Sequence, residues 1–143
     1  MTVMTQIEDR LAIRELQDRY ADAVFRFDAP AYEATWTEDA HWEIAGRTAD
    51  GVADIMALWK QFMADMEVVI MYATAGAIEV KGEVGTGRWY IIDINRTKDG
   101  RELLINSLYD DVYRKDKNGN WRFKSRKLQL IMVSKLERAE LPA

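Results

Sequence analysis

The chain contains no cysteine and a single histidine, His41. The absence of cysteine excludes disulfide bonds, thiolate nucleophiles and thiolate metal ligands, and it fits a reducing, cytoplasmic setting. With one histidine, a zinc site of His and Cys ligands cannot be assembled, and a Ser-His-Asp triad would depend wholly on His41. We therefore expect neither a metal nor another cofactor.

Long apolar runs and an excess of basic charge are also missing. No run approaches the roughly 18 apolar residues of a spanning helix, and the first residues lack the basic and apolar regions of a signal peptide. The net charge is -4, with acids and bases interspersed, so no basic face for nucleic acid is evident. These features predict a cytoplasmic protein with no nucleic-acid or membrane partner. Residues 1–143 are predicted to form one domain, with a fraying tail at Leu141-Pro142-Ala143.

Helical periodicity fills the first part of the sequence and strand periodicity the second, which favours an α+β fold. Thr5, with Glu8 three positions on, is predicted to cap the first helix. The predicted helices cover 5–27, 31–37 and 51–65, and the predicted strands cover 39–45, 67–80, 84–97, 102–114 and 121–134. The last four strands are joined by hairpin turn signals. A long antiparallel sheet after three helices predicts a cone that wraps around them and encloses a cavity.

One acid interrupts an otherwise apolar strand, Trp89-Tyr90-Ile91-Ile92-Asp93-Ile94. Burying an unpartnered carboxylate is costly, or forces it to take up a proton. Asp93 is therefore predicted either to be poised for proton transfer or to pair with an arginine, for which the candidates are Arg88, Arg96 and Arg126.

Tyr20 is the second catalytic candidate, because it interrupts the apolar stripe of the first helix. It is predicted to line one pocket with Asp93 and to donate a hydrogen bond to a substrate oxygen. The alternative is a core tyrosine whose hydroxyl meets a backbone carbonyl.

Nine further residues are predicted to contact a substrate: Trp42, Ile44, Trp59, Met71, Tyr72, Trp89, Asn95, Asn106 and Tyr109. A cone lined by indoles and thioethers suits a small, hydrophobic, flat or aromatic ligand. His41 alternates with Trp42 along its strand, so it becomes a catalytic candidate only if a bulge turns it inward. The basic run at 122–127 is predicted to project from an exposed strand face.

Several segments together resemble the SnoaL-like group of the nuclear transport factor 2-like superfamily, which includes scytalone dehydratase and bile acid 7α-dehydratase. They are Ile13-Arg14-Glu15-Leu16, Arg19-Tyr20-Ala21, the segment from Trp36 to Glu43, Gly85 to Tyr90 with Asp93, Tyr109 to Tyr113, and Gly119 to Phe123. The resemblance spans nearly the whole chain and implies the cone fold. It matches Tyr20 to a first-helix pocket tyrosine and Asp93 to a strand acid of the bile acid dehydratase type.

Two positions depart from the pattern of the related enzymes. Phe25 stands where they place an aspartate, and Met71 stands where they place the catalytic histidine. The resemblance therefore implies that the His-Asp dyad is absent. A ketosteroid isomerase reading is also disfavoured, because its general base would fall near Ile44.

The leading interpretation is a cofactor-independent, dehydratase-like lyase that acts on a small hydrophobic molecule, aromatic or polycyclic, in a buried pocket. Carbon–carbon cleavage of retro-aldol type or isomerisation in the same pocket remains an alternative. A second class is a non-catalytic scaffold, such as the small subunit of a ring-hydroxylating oxygenase or a ligand-binding domain. The outer sheet face, with Tyr90, Ile92 and Ile94, also predicts a homodimer or homotrimer.

Overall fold

Three helices and six strands make up the fold of the computed structural model, which describes residues 2–140 and 142. The helices are α1 (Val3–Arg26), α2 (Ala29–Glu33) and α3 (Val52–Ala64), and the strands are β1 (Trp36–Ile44), β2 (Arg47–Asp50), β3 (Met66–Lys81), β4 (Val84–Thr97), β5 (Glu102–Lys115) and β6 (Trp121–Lys135). The expected α+β architecture, a curved sheet with helices on its concave side, is confirmed. Among the described residues, no helix is long and apolar enough to cross a membrane. The fraying predicted at Leu141 and Ala143 lies outside the described residues.

The starts of the first two helices differ from the prediction. Thr2, not Thr5, is the N-cap of α1, because the Thr2 hydroxyl accepts a hydrogen bond from the Thr5 backbone N–H at 3.2 Å. Asp28 caps α2 in the same way, accepting from the Ala31 N–H at 3.0 Å, so α2 begins and ends earlier than expected. In both cases a short polar side chain satisfies an N–H that the helix leaves free.

The β1–β2 hairpin was not predicted from the sequence. Its turn residues, Ala45 and Gly46, both have positive φ, at 51° and 73°. Two such residues in succession are typical of the tight turns whose twist matches a hairpin. The hairpin brings Ala45 and Gly46 to the rim of the cone.

The strand order is β2-β1-β6-β5-β4-β3. The predicted meander of β3 to β6 is confirmed, since each of these strands pairs antiparallel with the next. The exception is β1, which lies parallel to β6. This pairing joins an early strand to the last one and makes the sheet mixed.

α1 fills much of the cone. Its buried side recurs at the spacing of one helix face, with Ile13, Leu16, Gln17, Tyr20 and Val24 turned toward the sheet. α3 closes the opposite side through Ile55, Met56, Leu58, Trp59 and Met63. The two helices leave a space between themselves and the wider part of the sheet.

The convex face of the sheet carries exposed apolar side chains, among them Tyr72, Tyr90, Ile92, Ile131 and Met132. Their grouping on one face supports the expected self-association, since large exposed apolar patches usually mark an interface.

We expect sedimentation at micromolar concentration to give a dimer or trimer. An Ile92→Lys variant should shift the protein toward monomer, with Leu11→Lys, at an exposed position of α1, as the control. A parent protein that sediments at 16.6 kDa would contradict the prediction.

Candidate active site

A cavity of about 570 Å³ lies between the concave sheet face, α1, α3 and the tip of the β1–β2 hairpin. Its wall is mostly apolar, with aromatic and thioether side chains from the helices and aliphatic side chains from β5 and β6. The lining residues that the sequence had singled out are Tyr20, Trp42, Ile44, Trp59, Met71, Asp93, Asn95 and Tyr109. Its size and lining are those of a small-molecule site.

Asp93 lies in the middle of the cavity wall. Strand alternation turns Ile91, Asp93 and Asn95 to the concave side, as predicted. The Oδ1 atom of Asp93 is buried and has no hydrogen-bond partner among the described residues. Burial raises the pKa of Asp93 to about 7, and the positive charge of Arg126 offsets only part of that effect. Near neutral pH this carboxyl can therefore both hold and release a proton.

The three arginines considered as partners of Asp93 pair with other acids. Arg88 contacts Asp110 at 2.8 Å and Arg96 contacts Glu67 at 3.2 Å, both on the surface. Arg126 contacts Asp111 at 2.8 Å. The geometry therefore does not support an ion pair between Asp93 and any of these three arginines.

Two phenols, those of Tyr20 and Tyr109, also line the cavity. The Tyr20 hydroxyl lies 3.1 Å from that of Tyr32, and the Tyr109 hydroxyl accepts a hydrogen bond from the Trp42 indole N–H at 3.0 Å. Burial is the main cause that raises the pKa of both Tyr20 and Tyr109 well above the usual value. Both phenols stay protonated at neutral pH, so they can donate hydrogen bonds but cannot act as bases.

Arg126 is fully buried behind these phenols, which corrects the prediction that the 122–127 run lies on an exposed face. Its guanidinium makes two contacts with the Asp111 carboxylate, at 2.8 and 3.1 Å, and donates to the Gln17 side chain at 2.7 Å. It also lies 4.5 Å from the Tyr20 ring centroid and 3.9 Å from that of Tyr109. Burial alone would lower the pKa of Arg126, but Asp111, Tyr20 and Tyr109 together outweigh burial and raise the pKa, so the guanidinium stays protonated.

Four residues predicted at the site lie elsewhere. Tyr72 and Asn106 are on the convex face, because strand alternation places them opposite to Met71 and Ser107. Trp89 is buried deeper in the cone, where its indole N–H donates to the Tyr113 hydroxyl at 2.9 Å. His41 lies outside the cavity lining, 2.6 Å from a carboxylate oxygen of Asp50. The register of β1 against β6 shifts between Trp36 and His41, but this shift does not bring His41 to the cavity.

Ser107 is a polar lining residue that sequence reasoning missed. It lies on β5 between Ile105 and Tyr109 on the concave face, and its Oγ has no partner among the described residues. The signal was available, because Tyr109 was already a candidate and Ser107 shares its face by the period-two rule. The hydroxyl adds a third unpartnered polar group to the wall that carries Asp93 and Asn95.

The two departures from the related enzymes differ in their surroundings. Phe25 is exposed at the end of α1 and does not line the cavity. Met71 does line it, and its sulfur accepts a hydrogen bond from the Gln17 side-chain amide at 3.4 Å. Neither residue can transfer a proton, so Asp93 is the lining group in the described chain with a pKa near neutrality. No group of three or more His, Cys, Asp or Glu side chains in the described residues is placed to hold a metal ion.

Comparison with known proteins shows the same family and fold that the sequence resembled. The family model of a SnoaL-like domain matches residues 5–127. A similar solved structure is a protein from Novosphingobium aromaticivorans DSM, provisionally called an aromatic ring hydroxylase, which is 29% identical with a TM-score of 0.83 over 91% of this chain and 94% of that chain. No curated protein matches the chain in sequence.

Two more distant structures share the fold. A hexachlorocyclohexane dehydrochlorinase (LinA Type2) is 20% identical, with a TM-score of 0.84 over 96% of this chain and 95% of that chain. A protein from Novosphingobium aromaticivorans DSM 12444, provisionally called a scytalone dehydratase, is 18% identical, with a TM-score of 0.84 over 93% of this chain and 91% of that chain. At these identities the likeness concerns the fold, and function has to be argued from the site.

Proposed function

The chain belongs to the SnoaL-like domain family, and we propose that it is a cofactor-independent lyase that eliminates water from a small, hydrophobic, ring-containing molecule. The observation that carries this proposal is the unpartnered carboxyl of Asp93 in the wall of an apolar cavity. A group that can gain or lose a proton near neutral pH, held where a substrate can reach it, is what an elimination requires.

Asp93 alone can both remove the proton from the substrate and return it to the leaving group. Its carboxylate takes a proton from the carbon next to the one that bears the hydroxyl. The electron pair of that C–H bond forms the double bond as the C–O bond breaks. Asp93 then gives the proton to the departing oxygen, so water leaves and the carboxylate is restored. No net electron transfer occurs, and the reaction needs no redox cofactor.

Tyr20 and Tyr109 supply hydrogen bonds in this scheme. Since burial keeps both phenols protonated, each can donate to a substrate oxygen on which negative charge develops. Donors that are fixed in place before the reaction stabilise such charge strongly in a dry site. Trp42 donates to the Tyr109 oxygen, so that contact does not use the Tyr109 proton, which can be donated to Tyr20 or to a substrate oxygen.

The pH dependence of turnover tests the role of Asp93. Water elimination from a panel of hydroxylated ring compounds would be followed by absorbance, without added cofactor, from pH 5 to 9. Because the ionised carboxyl starts the reaction, we expect kcat/KM to rise with pH and to level off above about pH 7, the pKa of Asp93. A rate that stays flat across this range would contradict the proposal. Retro-aldol cleavage or isomerisation would use the same groups, so β-hydroxy ketones belong in the panel.

A second candidate is a non-catalytic role, as in the small subunit of a ring-hydroxylating oxygenase. Two observations favour it: the 29% identical neighbour is provisionally called an aromatic ring hydroxylase, and Met71 and Phe25 cannot supply the family's His-Asp chemistry. This candidate predicts no turnover at any pH. It also leaves the unpartnered carboxyl of Asp93 without a use.

A further inference from the structure

Three buried oxygen atoms on one wall of the cavity have no hydrogen-bond partner among the described residues. They are Oδ1 of Asp93, Oδ1 of Asn95 and Oγ of Ser107. All three residues line the cavity, and Asn95 and Ser107 are only 7% and 2% exposed. Buried polar groups normally have partners, so a ligand that fills this space has to provide hydrogen bonds for this wall.

Strand register fixes how these oxygens are arranged. Asp93 and Asn95 are two residues apart on β4, a separation of about 7 Å. Asp93 pairs with Ile105 and Ile91 pairs with Ser107, so Ser107 is the diagonal neighbour of Asp93, also about 7 Å away. Asp93 therefore stands between the other two groups. Two hydroxyls on neighbouring carbons, each reaching about 2.8 Å to an acceptor, bridge one such separation, from Asp93 to either Asn95 or Ser107.

The rest of the cavity determines what carries the hydroxyls. Trp59, Phe62 and Met63 of α3 present ring and thioether surfaces. Such surfaces pack well against the face of a flat ring. An anionic ligand is disfavoured because Asp93 itself carries negative charge when it is ionised.

We propose that the ligand of this cavity is a ring with hydroxyl groups on two neighbouring carbon atoms, bound with one hydroxyl at Asp93 and the other at Asn95 or Ser107. This inference rests on the proposed function in that such a diol would be the compound that loses water. A ligand with one hydroxyl can donate to only one of these oxygens, whereas an adjacent diol donates to two, and each oxygen left without a partner is unfavourable.

Binding of unreactive naphthalenediols tests the inference separately from turnover. Isothermal titration calorimetry would compare 2,3-dihydroxynaphthalene with 2,7-dihydroxynaphthalene, which has the same number of hydroxyls on distant carbons, and with 2-naphthol. We expect the 2,3-diol to bind about 10-fold more tightly than either, the gain of roughly one further hydrogen bond. Equal affinities, or no binding of the 2,3-diol at its solubility limit, would overturn the inference.

Variants locate the preference within the wall. Either Ser107→Ala or Asn95→Leu, whichever removes the oxygen that the diol reaches beside Asp93, should reduce the preference for the 2,3-diol by about 10-fold. Asn106→Ala is the matched control, since Asn106 adjoins Ser107 on the opposite face of the sheet. A preference that survives both wall variants would contradict the proposed contacts.

Turnover distinguishes this inference from the proposed function. A preserved 2,3-diol preference with no elimination from any compound would support the inference and contradict the proposed function. Elimination from a single-hydroxyl compound as fast as from the corresponding adjacent diol would support the function and overturn the inference.

Discussion

Replacing Asp93 by asparagine is expected to lower turnover by about 10²-fold or more while making the protein more stable at pH 8. The amide keeps the size of the side chain but cannot take up or release the proton. Removing a carboxyl that burial holds in an unfavourable charged state also removes a source of instability. Turnover and the free energy of unfolding in denaturant, both measured at pH 8, report these two effects.

The stability difference should depend on pH in a defined direction. The pKa of Asp93 is about 7 in the folded protein, above the value of about 3.9 in an unfolded chain. The folded state therefore binds the proton more tightly, and this stabilisation is complete below about pH 4 and lost as the pH rises through 7. At pH 8 the ionised carboxyl of Asp93 destabilises the folded state by up to about 4 kcal/mol. Asp93→Asn should therefore raise the free energy of unfolding most at pH 8 and little near pH 4.

Asp110→Asn is the matched control for this experiment. Asp110 is an exposed acid on β5 that pairs with Arg88, and exposed pairs contribute about 1 kcal/mol or less. We expect the control to change neither turnover nor stability appreciably. An Asp93→Asn protein with full turnover would refute the catalytic assignment, and one destabilised at pH 8 would point to a structural carboxylate instead.

Replacing Arg126 by methionine is expected to destabilise the protein by about 3–5 kcal/mol at neutral pH. The substitution leaves Asp111 charged in a buried setting without its partner, and this is the main cause of such losses. It also removes the cation that lies against the Tyr20 and Tyr109 rings. Urea unfolding against the parent protein measures the loss.

A double variant separates the lost charge partner from lost packing. Arg126→Met combined with Asp111→Asn removes both charges, and we expect it to recover most of the stability lost in the single variant. Arg88→Met, on an exposed pair, should cost about 1 kcal/mol or less. If Arg126→Met fails to fold, the double variant should still fold, and its failure to do so would contradict the explanation. A loss of stability in Arg126→Met no larger than that in Arg88→Met would also contradict the explanation.

The position of Arg126 shows where sequence reasoning stops. Simple alternation along β6 places Arg126 on the same face as Arg122 and Lys124, the solvent face. In the structure, Tyr113 pairs with Phe123 but Val112 pairs with Ser125, so β6 has one extra residue at this point. A bulge of this kind transfers the side chains that follow it to the other face, here as far as a second register shift after Leu130. Nothing in the basic run signals it.

The expected residues that do line the cavity are those whose sequence patterns are local. Asp93 and Asn95 follow the alternation of a regular strand, and Tyr20 follows the spacing of a single helix face. Tyr72 was predicted at the site because of its hydroxyl group, although strand alternation places it on the opposite face of the sheet from Met71. The unpaired state of Asp93 depends on which acids its neighbouring arginines reach, and that becomes visible only in three dimensions.

The parallel pairing of β1 with β6 has a consequence for how the chain reaches its native state. Trp42 of β1 pairs with Arg126 of β6, across more than half of the chain. Contacts this far apart in sequence form slowly, because a long loop must close first. During synthesis the cavity therefore stays open along one side until the last strand emerges. Only then do the Trp42 indole and the Arg126 guanidinium reach the positions that hold Tyr109. We expect ligand binding to appear with the final folding step, after most of the sheet has formed.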